Sequence, residues 1–247
     1  MKVIATLVFF VQVLSPCKVD SFAPVDLGVA TITRGNLSGL HATEYDNAIN
    51  SCNEILRKAA VTKAEDPELV LKALEDLEKL MRKKRKEEGE SVAQDVVENL
   101  TGDWRLIFTT GTKQTQEKYN AKINYFPLKA VQSFDTTVAP FQITNGIFAG
   151  DFALLKFFGT FDFDLKRSKL VFDFNKLSIL QFFDIALQKD EAAKIGASTG
   201  LGSEGNVKLA EKNKGAFFNW ISADEEIATA RGGGGGLALW KKTQDGE

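Results

Sequence analysis

The hydrophobic pattern of this chain changes period at one place, residues 100 to 110, and that change limits the fold more than any other feature. Up to Asn99, apolar residues recur at three- and four-residue steps; from Trp104 onward they alternate. At the junction, Thr101-Gly102-Asp103 is a turn cluster and Trp104 to Phe108 an apolar, β-prone run. A helical segment is therefore expected over 43–99 and a β-rich region over 100–242.

In the helical part, Tyr45, Ala48, Ile49, Cys52, Ile55, Leu56 and Ala59 form one stripe and predict a helix from about Thr43 to Ala60. Asp66 is a capping residue followed by Pro67, so a second helix should open there. Its expected buried face is Leu69, Val70, Ala73, Leu74, Leu77, Leu80 and Met81. That helix runs into the basic stretch Arg82 to Lys86, read as a solvated C-terminal end because Glu87 and Glu88 adjoin it. Ser91 and Gln94 have the spacing of a capping box and predict a third helix reaching about Asn99.

Beyond the junction the expected strands are Asp103–Thr110, Ala121–Phe126, Lys129–Thr136, Phe141–Ile147, Phe152–Leu165, Leu170–Asn175, Leu177–Phe183, Ala216–Ser222, Glu226–Ala230 and Leu237–Lys241. The chain has 19 Phe against 3 Tyr and 3 Trp, and eleven of those Phe lie between Phe141 and Phe183. Phe offers area without a polar handle, so a dry interior is expected there. Phe157, Phe161, Phe163, Phe172 and Phe174 share a face if the strands around Lys166 form a hairpin with an even loop. A four-residue loop, Lys166 to Lys169, pairs Phe163 with Phe172 and Phe161 with Phe174, and sets Asp162 beside Asp173 on the other face. Two adjacent carboxylates can do acid–base chemistry, but nothing else catalytic accompanies them, and a solvated face neutralised by lysines is the preferred reading. Lys189 to Lys214 reads as a long Gly-containing loop, and Gly232 to Gly236 as a hairpin turn, since no Gly-Lys-Ser/Thr or helix follows as a phosphate loop needs.

The net charge of -2 gives no electrostatic reason to expect nucleic acid as a partner. Lys2 precedes the apolar run Val3 to Leu14, too short to span a bilayer, and residues 1–21 read as a signal peptide. Residues 22–42 are acid-poor and hydroxyl-rich, like a transit peptide. Ser21-Phe22-Ala23-Pro24 resembles the junction of the two-part leaders of algae with complex plastids. A plastid address is expected, with plain secretion as the alternative. His41, the only His, falls inside this leader and Cys52 is the only Cys beyond it, so no His triad, His metal site or disulfide is expected. No metal, cofactor or catalytic set is assigned.

Leu100 to Thr110 at the start of the β-rich region, and Glu225 to Trp240 with its Glu-Ile, Arg231-Gly and apolar strand at the end, resemble the conserved domain of the plastid lipid-associated protein, or fibrillin, family. Tyr125 to Pro127 and Ile143 to Gly146 add to the likeness; an acidic residue usual in the family's last glycine turn is replaced here by Gly. The resemblance implies a mainly β, antiparallel lipocalin-like β-barrel preceded by the helices. It also implies a barrel-closing set, Gly102, Trp104 and Arg231, with the guanidinium stacked on the indole, and a ligand pocket lined by the five phenylalanines named above. The implied function is non-catalytic: binding or organising a carotenoid, quinone, isoprenoid or acyl lipid at thylakoids or plastid lipid droplets. Two alternatives are an adaptor for a prenyl-lipid biosynthetic enzyme, and a lipid-modifying enzyme using Asp162 and Asp173.

Overall fold

The structure, a computed structural model, describes residues 40–111, 124–199, 204–212 and 214–243. The expected signal peptide, most of the expected transit-like segment, the start of the strand expected at Ala121, and Gly200 and Gly202 lie outside the described residues. Residues 42–247 form one compact unit. Its helices are α1 (Leu40–Thr62), α2 (Pro67–Glu88) and α3 (Ser91–Leu100). The strands are β1 (Gly102–Thr109), β2 (Asn124–Tyr125), β3 (Lys129–Asp135), β4 (Phe141–Ala149), β5 (Phe152–Asp164), β6 (Lys169–Ile179) and β7 (Phe183–Ala186). After α4 (Lys189–Thr199) and α5 (Glu204–Ala210) come β8 (Ala216–Ala223), β9 (Ile227–Gly232) and β10 (Leu237–Lys242).

All pairings are antiparallel, and β10 pairs with β1, so β1, β3, β4, β5, β6, β8, β9 and β10 close an eight-stranded barrel. A barrel of this size has an interior just wide enough to be filled by side chains or to hold one small ligand. The short strands complete two edges. β2 continues the β3 side of β1 along its second half, and β7 takes over from β8 beside the end of β6. Following the strand directions, one end of the barrel carries α3 and the start of β1. The other carries the ends of β4, β6 and β9, together with α4 and α5.

α1 and α2 pack on the outside of the wall. Leu56, Leu74 and Leu77 are fully buried and share a core with Ile107, Ile221, Ile227, Leu237 and Leu239, which face out of the barrel. Each such side chain contributes about 1.5–3 kcal/mol on burial. The Asp66 carboxylate caps α2, accepting from the N–H groups of Glu68 at 2.7 Å and Leu69 at 3.3 Å. Leu69 itself is exposed rather than buried. The capping box expected at Ser91 does not form: Glu90 stands at the N-cap, Ser91 Oγ donates back to Glu88 O, and Gln94 donates to Glu98. In β1 a bulge between Leu106 and Phe108 breaks the alternation, so Ile107 and Phe108 both join the helix-side core.

The Phe-rich hairpin keeps the expected parity and a four-residue loop, but its register differs by two residues. The loop is Leu165–Ser168, Phe161 pairs with Phe172, and Phe163 pairs with Leu170. Asp162 therefore sits across from Val171 and Asp173 across from Thr160, so the carboxylates are not partners. The two strands expected at Leu170–Asn175 and Leu177–Phe183 are one long strand plus β7. A bulge reconciles them: Phe158 pairs with Lys176 but Gly159 with Phe174, leaving Asn175 as the extra residue. Gly159 is required there, because a Cβ on it would lie 1.9 Å from Asp173 O. The loop expected over 189–214 instead contains α4 and α5. Its alanines favour helix, and Glu191 reaches back to the Gln188 N–H at 2.8 Å in the manner of a capping box.

Candidate functional site

Alternation along each strand sends one set of side chains inward, and these segregate by height. At the α3 end the interior is solid. Val96 and Leu100 of α3 enter the same buried cluster as Trp104, Phe134, Ile143, Phe161 and Leu170. Rings interlock there edge to face, Phe134 with Phe161 at 5.8 Å and Phe134 with Trp220 at 5.6 Å between centroids. Trp104 is fully buried, and its indole N–H donates to Leu100 O at 2.7 Å, tying the first strand to the helix that plugs the barrel.

Gly102 and Trp104 lie at this plug, but Arg231 does not. Inward positions on β9 are Ala228 and Ala230, so Arg231 faces out, near the far end of that strand. There its Nε and Nη2 donate to Glu78 Oε1 and Oε2 at 2.8 and 2.6 Å, and Nη1 donates to Gly235 O. The guanidinium beside Glu78 holds that carboxyl below its ordinary value, against the opposing effect of burial, and the pair raises the Arg231 pKa in turn. The expected Arg231–Trp104 stack is thus replaced by a clasp between α2 and the glycine turn. The cation over Trp104 is Lys242, whose Nζ lies 5.0 Å from the ring centroid and donates to Asn99 O at 3.1 Å. Gly102, at φ +126°, lies directly beneath it; a Cβ there would come within 3.1 Å of Lys242 Cε.

Toward the other end the interior is hollow. A cavity of about 260 Å³ is walled by Leu106, Phe157, Phe172, Phe174, Phe218 and Trp240. The polar side chains Gln132 and Asn145, directly paired across β3 and β4, share the wall. Ala192, Ala193 and Gly196 of α4, with Asn206 and Ala210 of α5, form its cover, and their small side chains leave the space beneath them open. Gly232, Gly233 and Gly236 of the β9–β10 turn complete the rim. Phe172 and Phe218 stack at 5.2 Å with planes 19° apart, and Phe157 meets Phe174 at 5.4 Å, so the wall is a continuous aromatic surface.

Of the five phenylalanines expected to line a pocket, Phe157, Phe172 and Phe174 do so, whereas Phe161 and Phe163 belong to the packed cluster nearer α3. Sequence reading missed Gln132, Phe218 and Trp240. Their signal was available in the same alternation: Phe218 and Trp220 fall on one face of β8, Ala238 and Trp240 on one face of β10. Asp162 points to solvent. Among the described residues no group of His, Cys, Asp and Glu side chains is arranged to hold a metal ion, and no helix is long and apolar enough to cross a membrane.

The architecture sets the class: a mainly β chain, with an antiparallel lipocalin-like barrel preceded by a helical segment. The chain has no significant match among protein-family models, curated proteins or solved structures.

Proposed function

We propose that this chain is a non-catalytic binding protein for a hydrophobic small molecule, held in the barrel cavity beneath α4 and α5. The observation that carries the reading is the aromatic-walled space of about 260 Å³ at one end of a barrel whose other end is solidly packed. At roughly 30 Å³ per water-sized group, it accommodates about nine such groups. A compact isoprenoid or acyl segment fits whole. A carotenoid or long-tailed quinone would enter by one end and leave the rest outside.

The leader pattern of residues 1–42 supports a plastid address, and the resemblance of residues 100–242 to the fibrillin family supports thylakoids or plastid lipid droplets as the setting. The cavity end carries a feature suited to a lipid surface. Phe182, in the turn from β6 to β7, and Phe183, at the start of β7, are 77% and 65% exposed, and Phe152, at the start of β5, is 40% exposed. The rings of Phe152 and Phe182 lie 6.4 Å apart, so the two segments present one apolar tip.

The test is to incubate the purified full chain with a lipid extract of photosynthetic membranes, re-isolate it, and identify retained molecules by mass spectrometry. A defined set of prenyl or acyl species, lost when Ala193→Trp fills the mouth, is expected. Retention of nothing, or of the same mixture by the filled variant, would refute the reading.

A further inference from the structure

The basic run that ends α2 is not a uniformly solvated face. Arg82, Arg85 and Lys86 stand three and four residues apart on one side of the helix, whereas Lys83 and Lys84 fall off it. Those three, with Gly89, Glu90 and Lys166, line a depression of about 300 Å³. It lies between the end of α2 and the β5–β6 loop and shares no residue with the aromatic cavity. Arg85 ties its two sides together. The Nη1 donates to Arg167 O, beside Lys166, at 3.3 Å, and the Nη2 donates to Trp220 O at 3.5 Å. Both acceptors are neutral, and each Nη keeps a second N–H that these bonds do not use. The enclosed Nε is out of reach of any ligand.

Four cations line this space against one carboxylate, that of Glu90. Among the described residues Arg85, Lys86 and Lys166 make no ion pair. Arg82 lies 3.6 Å from Glu78, whose oxygens Arg231 already holds at 2.8 and 2.6 Å. Burial, and then the charge of Arg82, disfavour the Arg85 cation, and Glu78 offsets them only in part. The helix dipole favours cations in the last turn of α2, but it does not account for Lys166, which comes from another element. Like charges gathered in a concave site repel one another, and a multiply charged anion turns that repulsion into attraction. A phosphoryl group carries nearly two charges at neutral pH and three strong acceptor oxygens. A guanidinium fork beside lysine point charges is the combination suited to it.

We propose that this depression binds a phosphoryl group, held by Arg85 and neutralised by Lys86 and Lys166, with Arg82 at its edge. A soluble diphosphate and the headgroup of a phosphomonoester lipid offer the same chemistry. The site stands apart from the cavity and does not depend on what the cavity holds.

The experiment has two arms, both on the full chain at neutral pH and low salt: calorimetric titration with inorganic pyrophosphate, and co-sedimentation with phosphatidylcholine vesicles with and without phosphatidic acid. Lys86→Gln combined with Lys166→Gln changes two exposed side chains, should leave the melting temperature unchanged, and is expected to weaken binding about tenfold. Lys83→Gln combined with Lys212→Gln removes the same charge from exposed positions outside the depression and should weaken it less than about twofold. Pyrophosphate binding with that pattern supports the site with a soluble phosphoryl ligand. Sedimentation that requires phosphatidic acid and follows the same pattern, without pyrophosphate binding, supports it with a lipid headgroup. Binding in neither arm, or equal weakening by the two double variants as diffuse surface charge would give, overturns the site.

Discussion

Arg231 and Lys242 divide between them the job expected of Arg231 alone, and their surroundings give each a separate test. Lys242→Met removes the cation over Trp104 and the bond to Asn99 O. It is expected to cost about 0.5–1 kcal/mol in urea unfolding and to change the near-ultraviolet circular dichroism of the tryptophans. Arg231→Met should leave that spectrum unchanged, because its partners are Glu78 and Gly235. Glu78→Gln, which breaks a bidentate pair whose side chains are 16% and 32% exposed, should lower stability at neutral pH by about 1–2 kcal/mol. The sign of its pH dependence follows from the depressed folded-state pKa. The stabilisation is fully present above the ordinary value of 4.5 and disappears as pH falls through the lower folded value. Acid unfolding of Glu78→Gln should therefore be shallower in that window than that of the unaltered chain. The outward position of Arg231 was readable in principle. Ala228 and Ala230 are the small residues that fit a crowded interior, and Arg231 is out of phase with them. The Gly-x-Trp and Arg pattern that the resemblance implies runs against that local parity.

Strands and helices were legible wherever one periodicity held without interruption, as in α2, β5 and β10. They were not where a bulge or a composition bias intervened. The bulge at Asn175 conceals that β6 is continuous, since the polar pair Asn175 and Lys176 looks like a break between two strands. The hairpin parity followed from the need to keep five rings on one side. The absolute register depends on where the loop begins, which the Lys-Arg-Ser-Lys run leaves open by two residues. Gly159 is the element-scale test. Gly159→Ala must push β5 away from the Asp173 carbonyl, and a loss of at least about 2–3 kcal/mol in denaturant unfolding is expected. By contrast Gly150→Ala, on an open turn where an added Cβ meets nothing within 4 Å, carries only the strain of φ +59° and should cost about 1 kcal/mol.

For the whole molecule, the decisive feature is that the barrel is packed at one end and hollow at the other. That follows from the chain order, since α3 leads straight into β1 at the packed end and α4–α5 leave β7 at the hollow one. Sequence reading foresaw a Phe-rich interior but not this partition, because the volume left empty depends on which rings meet across the barrel. Ala193→Trp is expected to reduce uptake of N-phenylnaphthylamine several-fold with no change in melting temperature, since Ala193 lines the cavity and lies outside the packed clusters. A parallel fall in melting temperature would make α4 part of the fold's support rather than a cover.

The seam between β1 and β10 has a further consequence for synthesis. The first strand finds one of its neighbours only when the last has been made, and Thr243 then fastens to Asp103 O with both its N–H, at 2.8 Å, and its hydroxyl, at 3.1 Å. A nascent chain on the ribosome therefore exposes an unpaired edge and a row of benzyl groups until residues 237–243 emerge. Such long-range closure sets refolding in the range of about milliseconds to seconds. Removing residues 237–247 should leave a chain that is captured by chaperones or precipitates, rather than a slightly weakened barrel.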